Sequence, residues 1–62
     1  SSIEVHQACE MQVCDMMGRM VYQHSLPGEG IYTLNTQSFA KGLYLVVFTT
    51  PQGREVRKLM VD

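Results

Sequence analysis

Short apolar stretches separated by turn residues recur along the whole chain, and none has the repeat of an amphipathic helix. The stretches are rich in Val, Ile, Tyr, Thr and Phe, and they follow one another at intervals of about 8–12 residues, which is typical of strands. They predict strands at Ile3–His6, Met11–Asp15, Arg19–His24, Gly30–Asn35, Leu43–Thr50 and Glu55–Val61. Short strands at this spacing favour a small antiparallel sandwich or barrel.

Three segments carry the residues that turns require. Asp15 can accept hydrogen bonds from backbone amides two residues further on, and Gly18 can adopt a positive φ. The segment Leu26–Gly30 contains a proline and two glycines, so it predicts a loop. Pro51 and Gly53 are spaced for a β-turn, which would join the last two strands as a hairpin.

The strands differ in polarity. Leu43–Phe48 is apolar on both faces, which predicts a central strand covered on each side, with Tyr44 in the core. Arg54–Lys58 alternates charges with little apolar content, as in edge strands that must resist aggregation. Thr36–Ala40 is the one segment for which we expect a single helical turn.

Length and charge exclude several classes of protein. A chain of 62 residues buries only about 60% of its unfolded surface, which allows one small domain, residues 1–62, and no enzyme with its own substrate pocket. Because it starts with Ser1, we expect it to be a fragment of a larger protein. Five Lys and Arg against six Asp and Glu disfavour nucleic-acid binding. The longest apolar run has six residues, so we expect no membrane insertion.

Candidate chemistry is sparse. Cys9 and Cys14 would lie on opposite faces of one strand, which favours free thiols over a disulfide. Methionines near Cys14 could hold Cu(I), but their spacing fits no ligand pattern. A hairpin centred near Met17 would place His24 opposite Glu10, away from Cys14, so no thiolate nucleophile is expected. We therefore predict no catalytic residue, metal or cofactor.

Three segments form a more specific pattern. The first is a strand–turn–strand unit with an Asp-x-x-Gly-Arg turn, Val13–Val21. The second, Phe39–Val46, contains Gly-x-Tyr at the start of the most apolar strand, and the third is the terminal Arg57–Val61. In this order and spacing they resemble the C-terminal sorting domain of the type IX (Por) secretion system of Bacteroidota, over residues Ile3–Asp62.

The resemblance implies an immunoglobulin-like β-sandwich of about six to seven strands, with no catalytic activity. It implies a secretion signal: a cargo crosses the inner membrane by its own N-terminal signal, folds in the periplasm and passes through the outer-membrane translocon. A cell-surface sortase then removes the domain, and the cargo remains at the surface or is secreted. Translocon and sortase components and an N-terminal cargo, which can be an enzyme such as a protease, are the implied partners.

The resemblance also implies roles for individual residues. The terminal recognition stretch corresponds to Lys58, Leu59, Met60 and Val61. The internal motif residues, which we assign mainly to the fold, are Asp15, Gly18, Arg19, Gly42 and Tyr44. The exposed, edge-like composition of the terminal stretch suggests recognition by strand addition.

The chain departs from the family pattern at two points. Cys14 stands where family members have Tyr or Phe, and the usual opening Tyr-Pro-Asn-Pro-like stretch is missing. We therefore expect the family's first strand to be absent, and a second copy to replace it in a homodimer through strand pairing or exchange. The alternative function is a retained adhesion or carbohydrate-binding module, which an exposed aromatic platform would favour.

Overall fold

The computed structural model describes all residues, Ser1–Asp62, and contains six strands and no helix. The strands are β1 (Ser2–Val5), β2 (Cys9–Asp15), β3 (Met20–Leu26), β4 (Gly30–Thr33), β5 (Gly42–Thr50) and β6 (Gly53–Val61). All six predicted strands are present, and their ends lie within two residues of the predicted ones. The helical turn expected at Thr36–Ala40 was wrong. The segment contains no helix and forms one isolated four-residue turn, closed by the hydrogen bond from Phe39 N to Thr36 O.

The strands form two antiparallel sheets. One has four strands in the order β3-β2-β5-β6, and the other contains β1 and β4. This architecture confirms the all-β prediction and is consistent with a small immunoglobulin-like sandwich. No helix is long and apolar enough to cross a membrane.

A single apolar core lies between the two sheets. Alternate residues of the central strands point into it, since successive side chains of a strand point to opposite faces. The ten buried residues are Ile3, Val5, Met11, Val13, Leu26, Leu34, Tyr44, Val46, Phe48 and Val61. None of the buried residues is charged.

The central strand β5 is covered on one face only. Tyr44, Val46 and Phe48 are buried, whereas Leu43, Leu45 and Val47 on the opposite face are half-buried. The prediction that both faces are covered was therefore wrong, because the second sheet packs on one side of the four-stranded sheet. Apolar residues on both faces of a strand are typical of covered strands, and here they leave one apolar face without a covering layer. We call this surface the outer face.

The β2–β3 hairpin contains an irregularity that the sequence does not reveal. The register shifts between Val13 and Cys14, so Cys14 pairs with Met20 as expected but Met11, rather than Glu10, lies opposite His24. The predicted pairing of His24 with Glu10 was wrong by one residue, because a β-bulge adds one residue to β3. His24 and Cys14 still lie apart, on different rungs of the hairpin.

Candidate functional site

The terminal strand β6 lies at the edge of the four-stranded sheet. It pairs along its whole length with β5, from Thr50 opposite Gly53 to Gly42 opposite Val61. No strand pairs with its other side. The edge position predicted from the charged segment is therefore confirmed, and the backbone groups on the free side of β6 have no strand partner.

The four residues of the terminal recognition stretch are divided between the two faces of β6. Val61 is 7% exposed and belongs to the core, and Leu59 packs partly against that core. Met60 lies opposite Leu43 on the outer face and is 62% exposed, and Lys58 is also exposed there. In the folded domain, only Lys58 and Met60 present their side chains fully to another molecule.

Arg57 fastens β6 to the second sheet. Its guanidinium carbon lies 4.4 Å from the centroid of the Phe48 ring, and its Nη1 donates a 2.9 Å hydrogen bond to the carbonyl oxygen of Glu4 in β1. Its Nε donates to Glu55 Oε2 at 2.9 Å, and this bond lowers the pKa of the Glu55 carboxyl. The sequence alone places Arg57 among the alternating charges of an edge strand, although its inward position in the alternation could have indicated this role.

The Asp15–Arg19 turn is closed by hydrogen bonds within the chain. Asp15 Oδ1 accepts from the backbone amides of Met17 and Arg19, each at 2.9 Å, and Asp15 Oδ2 accepts from Arg19 Nε at 2.9 Å. The backbone amide of Arg19 is the main cause that lowers the Asp15 pKa. Gly18 has a φ of 85°, a conformation that costs other residues energy. The turn chemistry predicted from the sequence is thus present.

Tyr44 connects this turn with the terminal strand. It pairs with Asp15 on one side and with Leu59 on the other. Its hydroxyl donates a 2.6 Å hydrogen bond to the carbonyl oxygen of Ala40, and its ring lies 5.4 Å from that of Phe39. Gly42, with a φ of 144°, lets the chain enter β5 from this corner. The structure therefore brings the internal motif residues together at one end of the sandwich.

The cysteines and histidines form no common site. Cys9 and Cys14 are free thiols, and burial raises the pKa of the Cys9 thiol. Cys9 and His6 line a shallow cavity of about 140 Å³ beside Arg57. No group of three or more His, Cys, Asp or Glu side chains is arranged to hold a metal ion. The three basic residues of β6 form no continuous stripe, since Arg54 and Lys58 lie on the outer face and Arg57 on the inner one.

The tyrosines do not form an exposed aromatic platform. Tyr44 is buried, and the hydroxyl of the half-buried Tyr32 donates to the carbonyl oxygen of Gly28 at 3.0 Å. Tyr22 is partly exposed and lies beside His24, with their ring centroids 6.3 Å apart. The alternative of a carbohydrate-binding or adhesion module receives no support from these contacts.

Fold and site define a small β-sandwich whose last strand forms an exposed edge of the four-stranded sheet. The family model of the secretion system C-terminal sorting domain matches residues 1–62. The chain belongs to this family, the sorting signals of type IX (Por) secretion. No curated protein and no solved structure is detectably similar to it.

Family membership defines the function in general terms. The domain is a C-terminal sorting signal that directs export to the cell surface or into the medium. Such a signal interacts with the secretion machinery and is not itself catalytic.

Proposed function

We propose that this domain directs an N-terminally attached cargo, folded in the periplasm, through the outer-membrane translocon, and that a cell-surface sortase then removes it. The position of β6 is the observation that carries the proposal. The strand is the last of the six and lies at a sheet edge, and its outward residues Lys58 and Met60 are exposed. A binding protein can reach this edge without unfolding the core.

Strand addition is the recognition mode that best fits this edge. An extended segment of a partner can bond to the free backbone groups of β6, while pockets for alternate side chains provide specificity. The pockets would accept Lys58 and Met60, because Leu59 and Val61 point to the core. We assign Asp15, Gly18, Arg19, Gly42 and Tyr44 to the corner that keeps β6 in place.

Removal of Leu59–Asp62 tests the proposal. A reporter cargo fused in front of the chain should reach the surface of a type IX-competent bacterium, and the truncated fusion should accumulate in the periplasm with its cargo folded. Gln52→Glu, in the exposed turn at the other end of β6, is the matched control and should be exported normally. Surface delivery of the truncated fusion would refute the proposed role of the tail.

Mass spectrometry of the exported fusion tests the sortase step. We expect the surface form to have lost the domain and the periplasmic form to retain it. A surface form that still contains residues 1–62 would contradict removal and would support a retained module.

The proposal also includes a homodimer that completes the second sheet. That sheet has only β1 and β4, and each of them has one edge without a strand partner. Free strand edges are templates for pairing with another chain. Light scattering at high protein concentration should detect a dimer, and a strictly monomeric species would argue against it.

A further inference from the structure

On the outer face of the four-stranded sheet, a charged residue of the edge strand β6 borders an apolar surface. Lys58 lies directly opposite Leu45. Its diagonal neighbours on β5 are Leu43 and Val47, and the next residues of β6 on the same face are Val56 and Met60. All five neighbours of the ammonium-bearing side chain are therefore apolar.

Several of these apolar side chains are open to solvent. Val56 is 55% exposed and Met60 is 62% exposed, although both lie in regular strand structure. A shallow depression lined by Met16, Met17 and Leu43, and also by the charged Asp15, Arg19 and Lys41, adjoins this surface. Contiguous apolar surface of this kind marks interaction sites, and exposed methionines can adapt to a partner's shape.

Lys58 has no ion-pair partner within the chain. The two ion pairs of the domain join Arg19 with Asp15 and Arg57 with Glu55. Neither of them includes Lys58, so its charge remains available to another molecule.

The charge also argues against a second copy of this chain as the occupant. In a two-fold symmetric contact the same patch meets itself, and the apolar residues around Lys58 include no carboxylate that could pair with it. Burying a charge without a partner destabilises such a contact. Glu10, an acidic residue on the same face, lies toward the other end of the sheet and already accepts a hydrogen bond from Ser25.

We infer that the outer face around Lys58, formed by Leu43, Leu45, Val47, Val56 and Met60, docks on a component of the secretion machinery whose surface is apolar and presents a carboxylate to Lys58. This inference rests on the proposed function and adds the chemistry of the partner. The apolar residues supply contact area, and the ion pair becomes stronger as water is excluded from around it. β5 then contributes to recognition together with the terminal strand.

Charge reversal at Lys58 distinguishes two possible roles of this residue, docking on a partner and protection of the sheet edge against aggregation. A charged residue on an edge strand also discourages self-association, and Glu keeps that protection while it repels a carboxylate. In the reporter fusion, Lys58→Glu should lower the surface-delivered fraction at least about tenfold, and Lys58→Arg should stay within about twofold of the original chain. Arg54→Glu, on the same face of β6 but opposite the polar Thr49 at the margin of the patch, is the matched control and should also stay within twofold.

A second pair of variants tests the apolar part of the face. Val56→Thr keeps the side-chain shape but adds a hydroxyl to the patch, and it should lower surface delivery several-fold. Ile31→Thr makes a similar change at an exposed strand position of the other sheet and should have no effect. If Lys58→Glu loses the protease resistance that indicates correct folding, the difference in surface delivery between Val56→Thr and Ile31→Thr decides the test.

The outcomes distinguish the inference from the function on which it rests. If the original fusion is not delivered, the proposed function fails, and the inference fails with it. If the original fusion is delivered and Lys58→Glu is delivered equally well, only the inference is overturned. An equal loss with Arg54→Glu also overturns it. A change of oligomeric state with Lys58→Glu would assign the face to a second copy, and would overturn it as well.

Discussion

The Asp15–Arg19 turn and the terminal strand β6 are both exposed and charged, yet they differ in how their polar groups are used. In the turn, the Asp15 carboxylate accepts three hydrogen bonds, all from Met17 and Arg19. On the outward side of β6, Lys58 has no ion-pair partner and the backbone edge has no strand partner. The Asp15 carboxylate is hydrogen-bonded within its own chain, whereas the Lys58 side chain and the free backbone edge of β6 can bind another molecule.

This difference separates residues that maintain the domain from residues that are available for recognition. The inward residues of β6 belong with the turn, because Arg57 and Val61 hold the strand against the second sheet and the core. The outward residues Lys58 and Met60 make no comparable contacts. One strand therefore contains both classes of residue in alternation, and substitutions along it should alternate in their effects.

Neighbouring substitutions at the end of β6 should give the largest contrast in stability. Val61→Ala removes two buried methyl groups and should lower the free energy of unfolding by about 2 kcal/mol. Met60→Ala alters an exposed side chain and should change it by less than about 0.5 kcal/mol. Urea titration followed by circular dichroism measures both values. Equal losses would show that the two faces of β6 are not distinct.

Two glycine substitutions should sharpen the description of the turn. Gly18→Ala places a side chain at a φ of 85° and should cost about 1 kcal/mol. Gly28→Ala is the matched control: that glycine does not have a positive φ, and an added Cβ would meet no atom within 4 Å. It should change the free energy of unfolding by less than about 0.5 kcal/mol. Equal effects in thermal unfolding would contradict the assigned backbone strain.

The pH dependence of stability should show the smallest effect. The pKa of Asp15 is lowered in the folded domain, so its contribution is present above the ordinary carboxyl pKa and is lost as the pH falls through the folded value. As the pH falls below about 4, the original chain should lose stability more steeply than Asp15→Asn. Glu55 also has a lowered pKa but is the same in both chains. Melting temperatures that decrease equally with falling pH in the original chain and in Asp15→Asn would contradict the role of Asp15.

The contacts predicted most successfully from the sequence are local ones. The Asp15–Arg19 turn and the Thr50–Gly53 hairpin were both predicted, because their residues act on backbone groups a few positions away. The edge position of Arg54–Lys58 was also predicted, since charge alternation is a property of one strand. The predicted partner of His24, Glu10, is one residue away from the observed partner, Met11, because the bulge near Val13 leaves no clear mark in the residue pattern.

The sequence by itself determined the number of strands, their turns and the alternation of side chains along each strand, because these follow from steric and hydrogen-bonding preferences over a few residues. The tertiary structure alone decided that β5 is covered on one face, that Arg57 contacts Phe48 and Glu4, and that Lys58 lies beside apolar residues of β5. Each of these depends on which distant segments meet. That outcome is set by the packing of the two sheets as a whole, and no local pattern contains it.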